Sequence, residues 1–317
     1  MQIDPSILAA LASAPSPLPA NVEDIDVADL RESYELAASL ARKPHPQGMT
    51  VSDYAFPVGA RTVSVRVYRP ASPSLLPGTL FLHGGGWVIG SIRSHDEIAA
   101  ELAHRTASLV ASVDYALAPE HPYPAAIEDV EAAAAWLVAN ASRLGLDPKR
   151  LGICGDSAGG HLASLYSVRS ALAGRENPFC CQLLFYPVVD SRADTASYRD
   201  NADAPILSAA LMRWFIERYC TEKDRDDPLA FPMRAPRLGH QPEAYIVTAG
   251  HDPLRDEALR YGQRLAEQGV CVTARHAADL VHGFLRLRHV SARAQVEFDS
   301  AANWLSQRLQ TRPEGAL

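Results

Sequence analysis

The tightest constraint on the fold is an alternation of strand and helix signals that begins at residue 62. TVSVRVYR (62–69) alternates apolar and polar residues, the period of a half-exposed strand. TLFLHGGG (79–86) and SLVASVDY (108–115) are short apolar runs of the kind that buried parallel strands produce. RLGIC (150–154), CQLLFYP (181–187), AYIVTAG (244–250) and VCVTARH (270–276) also read as strands. Helices fall between them. Pro124 opens one that reaches Ala139, with Ile127, Val130, Ala134 and Leu137 at helical spacing. Others run from Ala158 to about Leu172, from Leu254 to Gln268 with Gly269 as the stop, and from about Ser291 to Leu309. The pattern implies a mostly parallel central sheet with helices on both faces. In such sheets, sites form at the carboxyl ends of the strands.

The chain has 317 residues and is 47% hydrophobic, enough for one large domain with insertions or two smaller ones. A net charge of −7 with no Lys/Arg run argues against nucleic acid and anionic membrane as partners. The cysteines (Cys154, Cys180, Cys181, Cys220, Cys271) are odd in number and contain no C-x-x-C pair. That fits a reduced, cytoplasmic setting and argues against a zinc cluster. ILAALASA (7–14) resembles a signal-peptide core, but Asp4 and Pro5 precede it and Pro15, Pro17 and Pro19 follow. A short amphipathic helix is the expected structure. No stretch reaches the roughly 20 apolar residues that a membrane span needs.

Two regions depart from the alternation. Residues 1 to about 45 look helical. Residues about 190–235 contain LMRWFIERYC (211–220), a helix with a bulky face, then the charged run EKDRDD (222–227). The expectation is a helical cap formed by both, over a catalytic domain spanning 46–317; two unrelated surface decorations are the alternative.

Gly155-Asp156-Ser157-Ala158-Gly159 matches G-x-S-x-G after a strand and at a helix start. In that setting the serine is a nucleophile on a sharp turn, with glycine-sized neighbours avoiding a clash. A phosphate loop is excluded, because no G-K-[ST] follows. Gly84-Gly85-Gly86-Trp87-Val88-Ile89-Gly90 misses the dinucleotide fingerprint, since Ile89 holds the place of its third glycine. The run His83-Gly84-Gly85-Gly86 ends a buried strand at the same sheet edge as Ser157. Bare backbone there can offer N–H groups to an oxyanion, and Ala158 N–H can supply another. A serine nucleophile also needs a histidine base and an acid that orients it. Asp252 follows the strand 244–250 at the correct edge, whereas Asp256 lies a turn into the next helix. Asp156 should point away from Ser157, and His251 is expected to be a loop residue. Among His276, His282 and His289, the loop position of His282 beside Gly283 gives the best reach. His161, one turn into the elbow helix, reads as a packing residue.

Together HGGGW (83–87), LAPEHPYPAA (117–126), GDSAGG (155–160), DPLRDE (252–257) and HGF (282–284) resemble the blocks of the bacterial hormone-sensitive-lipase-like (family IV) carboxylesterases, a branch of the α/β-hydrolases. The likeness covers roughly residues 45–310. It implies an α/β-hydrolase fold with a helical cap. It implies a Ser157–Asp252–His282 triad, an oxyanion hole of Gly85, Gly86 and Ala158 with Gly84 completing the loop, no cofactor or metal, and small-molecule esters with short acyl chains as substrates. Relatives commonly carry an arginine where this chain has Ala116, which puts a local salt bridge in doubt, and an asparagine at His161. Trp87, Trp214 and Phe215, with Tyr219, can wall a compact substrate pocket or form cap core. An amidase or carbamate hydrolase with the same triad stays open, as does a homodimer, whereas the large extra domain that would favour a peptidase does not fit in 317 residues. A non-catalytic ligand receptor, like the gibberellin receptors that resemble this family, lacks the histidine that is present here.

Overall fold

The computed structural model describes residues 2–13, 18–19, 22, 25–40 and 43–310. Pro15 and Pro17, expected to follow the first helix, lie outside the described residues. Eight strands form one sheet: β1 (Met49–Val58), β2 (Arg61–Pro70), β3 (Leu76–Leu82), β4 (Leu109–Asp114), β5 (Leu146–Asp156), β6 (Phe179–Phe185), β7 (Glu243–His251) and β8 (Val272–Val281). Their order is β1-β2-β4-β3-β5-β6-β7-β8. The pairs β1–β2 and β2–β4 are antiparallel, and every pairing from β4 to β8 is parallel. The described helices are α1 (Pro5–Ser13), α2 (Val27–Leu40), α3 (Asp96–Thr106), α4 (Ala125–Ala139), α5 (Ala141–Leu144), α6 (Ala158–Leu172), α7 (Ala196–Asp200), α8 (Ala209–Tyr219), α9 (Arg255–Glu267) and α10 (Ala292–Gln310).

The sheet separates two apolar clusters. One holds Leu80, Leu82, Ile153 and Leu184 against α4, α6, α8 and α9. The other holds Phe81, Cys154, Leu183 and Val247 against α3 and α10. Successive residues of β3, β5 and β6 thus go to opposite faces, and both faces are covered. That is why these strands read as unbroken apolar runs. β3 is buried at all seven residues.

Three features differ from the sequence reading. β1 precedes the first expected strand. It lies at the sheet edge, has no fully buried residue and carries Pro57, so it lacks apolar contrast. β8 continues to Val281, so His276 lies inside it, paired with Thr248, and is not at its end. Its register with β7 shifts between Ala249 and His251, and this irregularity interrupts the alternation that would have shown its length. His251 is the last residue of β7, not part of a loop.

The N-terminal region divides between the two faces. Ile7 of α1 is buried in the cluster with α3 and α10, and the Asp4 N–H donates to the Asp279 carbonyl on β8 at 2.9 Å. Leu30 and Tyr34 of α2 are buried in the opposite cluster. Arg31 fastens α2 there. It donates to the carbonyls of Val88 and Ala118 at 2.8 and 2.9 Å and forms a two-pronged pair with Glu120 at 2.8 and 2.7 Å. The Glu120 carboxylate therefore finds an arginine from another element, although Ala116 supplies none. The mid-chain helix α8 starts at Ser208, whose side chain accepts from Leu211 N–H, and buries Trp214, Phe215 and Tyr219.

Candidate active site

Ser157 stands between β5 and α6, at the carboxyl end of a central strand. Its backbone angles, φ 54° and ψ −118°, are costly for a residue with a Cβ. The surroundings fix them. Ser157 N–H donates to the Phe185 carbonyl at 2.9 Å, and its own carbonyl accepts from His161 N–H at 2.9 Å. The turn also needs close backbone approach, since a Cβ on Gly159 would lie 2.0 Å from the Leu82 carbonyl oxygen.

Ser157, Asp252 and His282, 125 residues apart at the extreme, are brought together. The Ser157 hydroxyl is 2.9 Å from His282 Nε2, and His282 Nδ1 is 2.8 Å from Asp252 Oδ2. The carboxylate can only accept, so Nδ1 carries the proton and Nε2 keeps its lone pair for the Ser157 O–H. Asp252 follows β7 and is fully buried; its other oxygen accepts from Leu254 N–H at 2.9 Å. His282 follows β8 directly and is 6% exposed, with the Tyr186 ring 4.8 Å away. Gly283 then turns the chain at φ 71°. Asp256 points elsewhere, accepting from Ser197 N–H at 2.8 Å.

The glycine loop lies at the same edge, after β3. The Gly85 carbonyl accepts from the N–H groups of Val88 and Ile89 at 3.1 and 2.9 Å. Among the described residues, no backbone hydrogen bond uses the N–H of Gly85, Gly86 or Ala158. Ala158 is the first residue of α6, where the helix dipole is positive. Gly85 has φ 128° and its Cβ would meet the Ile89 carbonyl oxygen at 2.1 Å, so no other residue fits there.

The aromatic candidates separate. Trp87 is fully buried, stacked on Tyr219 with ring centroids 4.2 Å apart, and donates from Nε1 to His161 Nδ1 at 3.1 Å. His161 Nε2 in turn donates to the Ala230 carbonyl at 2.8 Å. These residues clamp the glycine loop, α6 and the mid-chain insertion together, and His161 is a packing residue. Burial pushes its pKa down to about 3. Phe215 of α8 packs directly on Gly86. Trp214 sits beside it, edge to face at 5.3 Å, with Arg218 over its ring.

One buried acid escapes the motif reading. Glu257 of α9 is 1% exposed and accepts from the N–H groups of Val189 and Asp190 at 2.9 and 3.2 Å. Burial holds its carboxyl well above the ordinary range. It therefore ties α9, which follows Asp252, to the start of the insertion. Its place in DPLRDE was the only signal.

A family model described as alpha/beta hydrolase fold matches residues 79–286. The chain belongs to the α/β-hydrolase family, in its hormone-sensitive-lipase-like branch. It is similar to Esterase LipI of Mycobacterium tuberculosis, at 39% identity over 289 residues, covering 89% of this chain and 88% of the relative. An ethyl acetate hydrolase of Pseudomonas putida is 31% identical and covered end to end, with 98% of this chain matched. Among solved structures of this α/β-hydrolase fold, a thermostable esterase from Pseudomonas putida ECU1011 superposes with a TM-score of 0.91 at 30% identity, over 98% of both chains. Among the described residues of this α/β-hydrolase, no helix is long and apolar enough to cross a membrane.

Proposed function

We propose that this carboxylic ester hydrolase is a serine esterase that cleaves short-chain acyl esters of small molecules by two-step acyl transfer. The observation that carries the reading is the continuous Ser157–His282–Asp252 hydrogen-bond chain at a strand–helix turn. His282 Nε2 takes the Ser157 proton as the oxygen attacks the ester carbonyl. The N–H groups of Gly85, Gly86 and Ala158 receive the negative charge that develops on the carbonyl oxygen, each donor lowering the barrier by about 3–4 kcal/mol. Asp252 holds the imidazole and balances its positive charge. His282 then returns the proton to the leaving alcohol. Water, activated by the same nitrogen, releases the acid.

Helices α2 and α8 form the cap in this reading, with Phe215 against the oxyanion loop. The ethyl acetate hydrolase among the relatives supports a small acyl group. Five unpaired cysteines fit a reducing cytoplasm.

The test is a series of nitrophenyl esters with wild type and Ser157→Ala. Expected are best turnover at acyl chains of roughly two to six carbons and a loss on the order of 10⁴–10⁶ in kcat for the variant. Activity that survives in Ser157→Ala overturns the assignment. An optimum at twelve carbons or more overturns only the chain-length part.

A further inference from the structure

Asp156 is next to the nucleophile, yet its side chain leaves the Ser157 hydroxyl and runs under the glycine loop. It is 3% exposed. Its Oδ1 accepts from Gly84 N–H at 2.9 Å, and a Cβ on Gly84 would lie 2.5 Å from its Oδ2, so the carboxylate fills the space beneath that residue. The Tyr186 hydroxyl is 3.5 Å from Oδ2. His95, fully buried before α3, places Nε2 3.4 Å from Oδ1.

The His95 proton can be located from its neighbours. The carboxylate can only accept, so the ring proton facing it is on Nε2, and Nδ1 accepts from the Ser94 hydroxyl at 2.9 Å. Nε2–H is then the group presented to the carboxylate, at 3.4 Å. A buried carboxylate is tolerated when it is paired and hydrogen-bonded. Burial raises the Asp156 pKa, but His95, His83 and the Gly84 N–H outweigh that and hold it below the usual carboxylate value.

We infer that Asp156, partnered by His95, is a positioning residue that sets the oxyanion loop against the nucleophile. One residue is covalently joined to Ser157 and hydrogen-bonded to Gly84, which directly precedes Gly85 and Gly86. The distance between the attacking oxygen and the two loop donors is therefore fixed by a single side chain. Such donors must match a position that the substrate oxygen reaches only in the transition state. The inference rests on the esterase reading given above.

The experiment compares Asp156→Ala and Asp156→Asn with wild type. Ester kinetics are measured together with inhibition by a trifluoromethyl ketone, which forms a tetrahedral adduct. Misplacing donors by about 1 Å costs on the order of 10²-fold, so Asp156→Ala should lose about that much kcat with KM nearly unchanged. Its inhibition constant should rise by the same factor. Asp156→Asn keeps an oxygen for Gly84 N–H and should recover most of the rate. If the alanine variant does not fold, His95→Phe carries the test, with a kcat loss of about tenfold expected at constant KM. Wild-type kcat in folded Asp156→Ala or His95→Phe, or an asparagine variant as slow as alanine, overturns the inference. Those outcomes differ from failure of the esterase reading itself, which shows as activity that Ser157→Ala does not abolish.

Discussion

At the scale of single residues, the proposed mechanism requires protons to be held where the chemistry needs them. His282 has a carboxylate on one nitrogen and a hydroxyl on the other. His161, fully buried, has an indole N–H on Nδ1 and a carbonyl on Nε2, so both positions of the neutral ring are used and a second proton has no place. Its pKa of about 3 in the folded chain lies below the unfolded value. His83, stacked on Tyr115 at 4.3 Å, is likewise pushed down by burial, to about 4. Between the folded and unfolded values, the unfolded chain binds a proton that the folded chain refuses. Stability present above the unfolded value is therefore lost as pH falls. The slope is about 1.4 kcal/mol per pH unit for each such group, beginning near the ordinary histidine pKa of ~6.5. His161→Asn removes one of the two. Urea denaturation followed from about pH 6 to 4 should show a shallower loss for the variant than for wild type. Equal slopes would remove His161 from the account of acid sensitivity.

Elements matter through the junctions between them. The elbow is a strand end, one strained residue and a helix start, and α6 lies so close to β3 that only glycine fits at 159. A methyl group there meets backbone, which cannot rotate away. Gly159→Ala should therefore cost about 3 kcal/mol or more of stability, an overpacking penalty at its upper end. A thermal melt within a degree or so of wild type would show that α6 can shift at little cost. α2 depends on a different junction, in which the Arg31 guanidinium supplies four hydrogen bonds to the 88–120 region. Arg31 is only partly buried, so its ion pair with Glu120 contributes modestly and its carbonyl bonds more. Arg31→Ala should release α2 locally, leaving the sheet folded. Limited proteolysis is expected to cut near residues 41–46 faster in the variant, with little change in the main unfolding transition. Unaltered cleavage would show that Leu30 and Tyr34 hold α2 without the arginine.

Across the whole molecule, a mostly parallel sheet covered on both faces brings four distant loops to one edge. The loops after β3, β5, β7 and β8 carry the glycines, Ser157, Asp252 and His282 in turn. Parallel pairing with crossovers through α6 and α9 makes that convergence a consequence of topology, since every one of these strands ends on the same side. The N-terminal helices pack on two faces at once, α1 in the cluster with α10 and α2 in the opposite one. A chain segment that reads as one helical region thus does two jobs, which its sequence does not separate.

Much of this fold is legible in the sequence. Buried parallel strands produce apolar runs, so the alternation from residue 62 was visible, and the elbow and the glycine loop were visible because their requirements are local. Chain order and strand ends point to Asp252 and His282 among many acids and histidines, and the fold brings both into one hydrogen-bond chain with Ser157. Other features were invisible for physical reasons. β1 is half exposed along its length and leaves no periodicity. The extension of β8 is decided by pairing with β7 across an irregular register. The contacts of Asp156 with Gly84 and His95, of Trp87 with His161 and Tyr219, and of Arg31 with Glu120 join residues far apart in the chain. The sequence by itself determined the fold class and pointed to the residues proposed for the chemical site, because backbone geometry and spacing constrain both. Only the tertiary structure decided what braces that site, because bracing depends on which distant side chains the packed sheet and helices bring within hydrogen-bond reach.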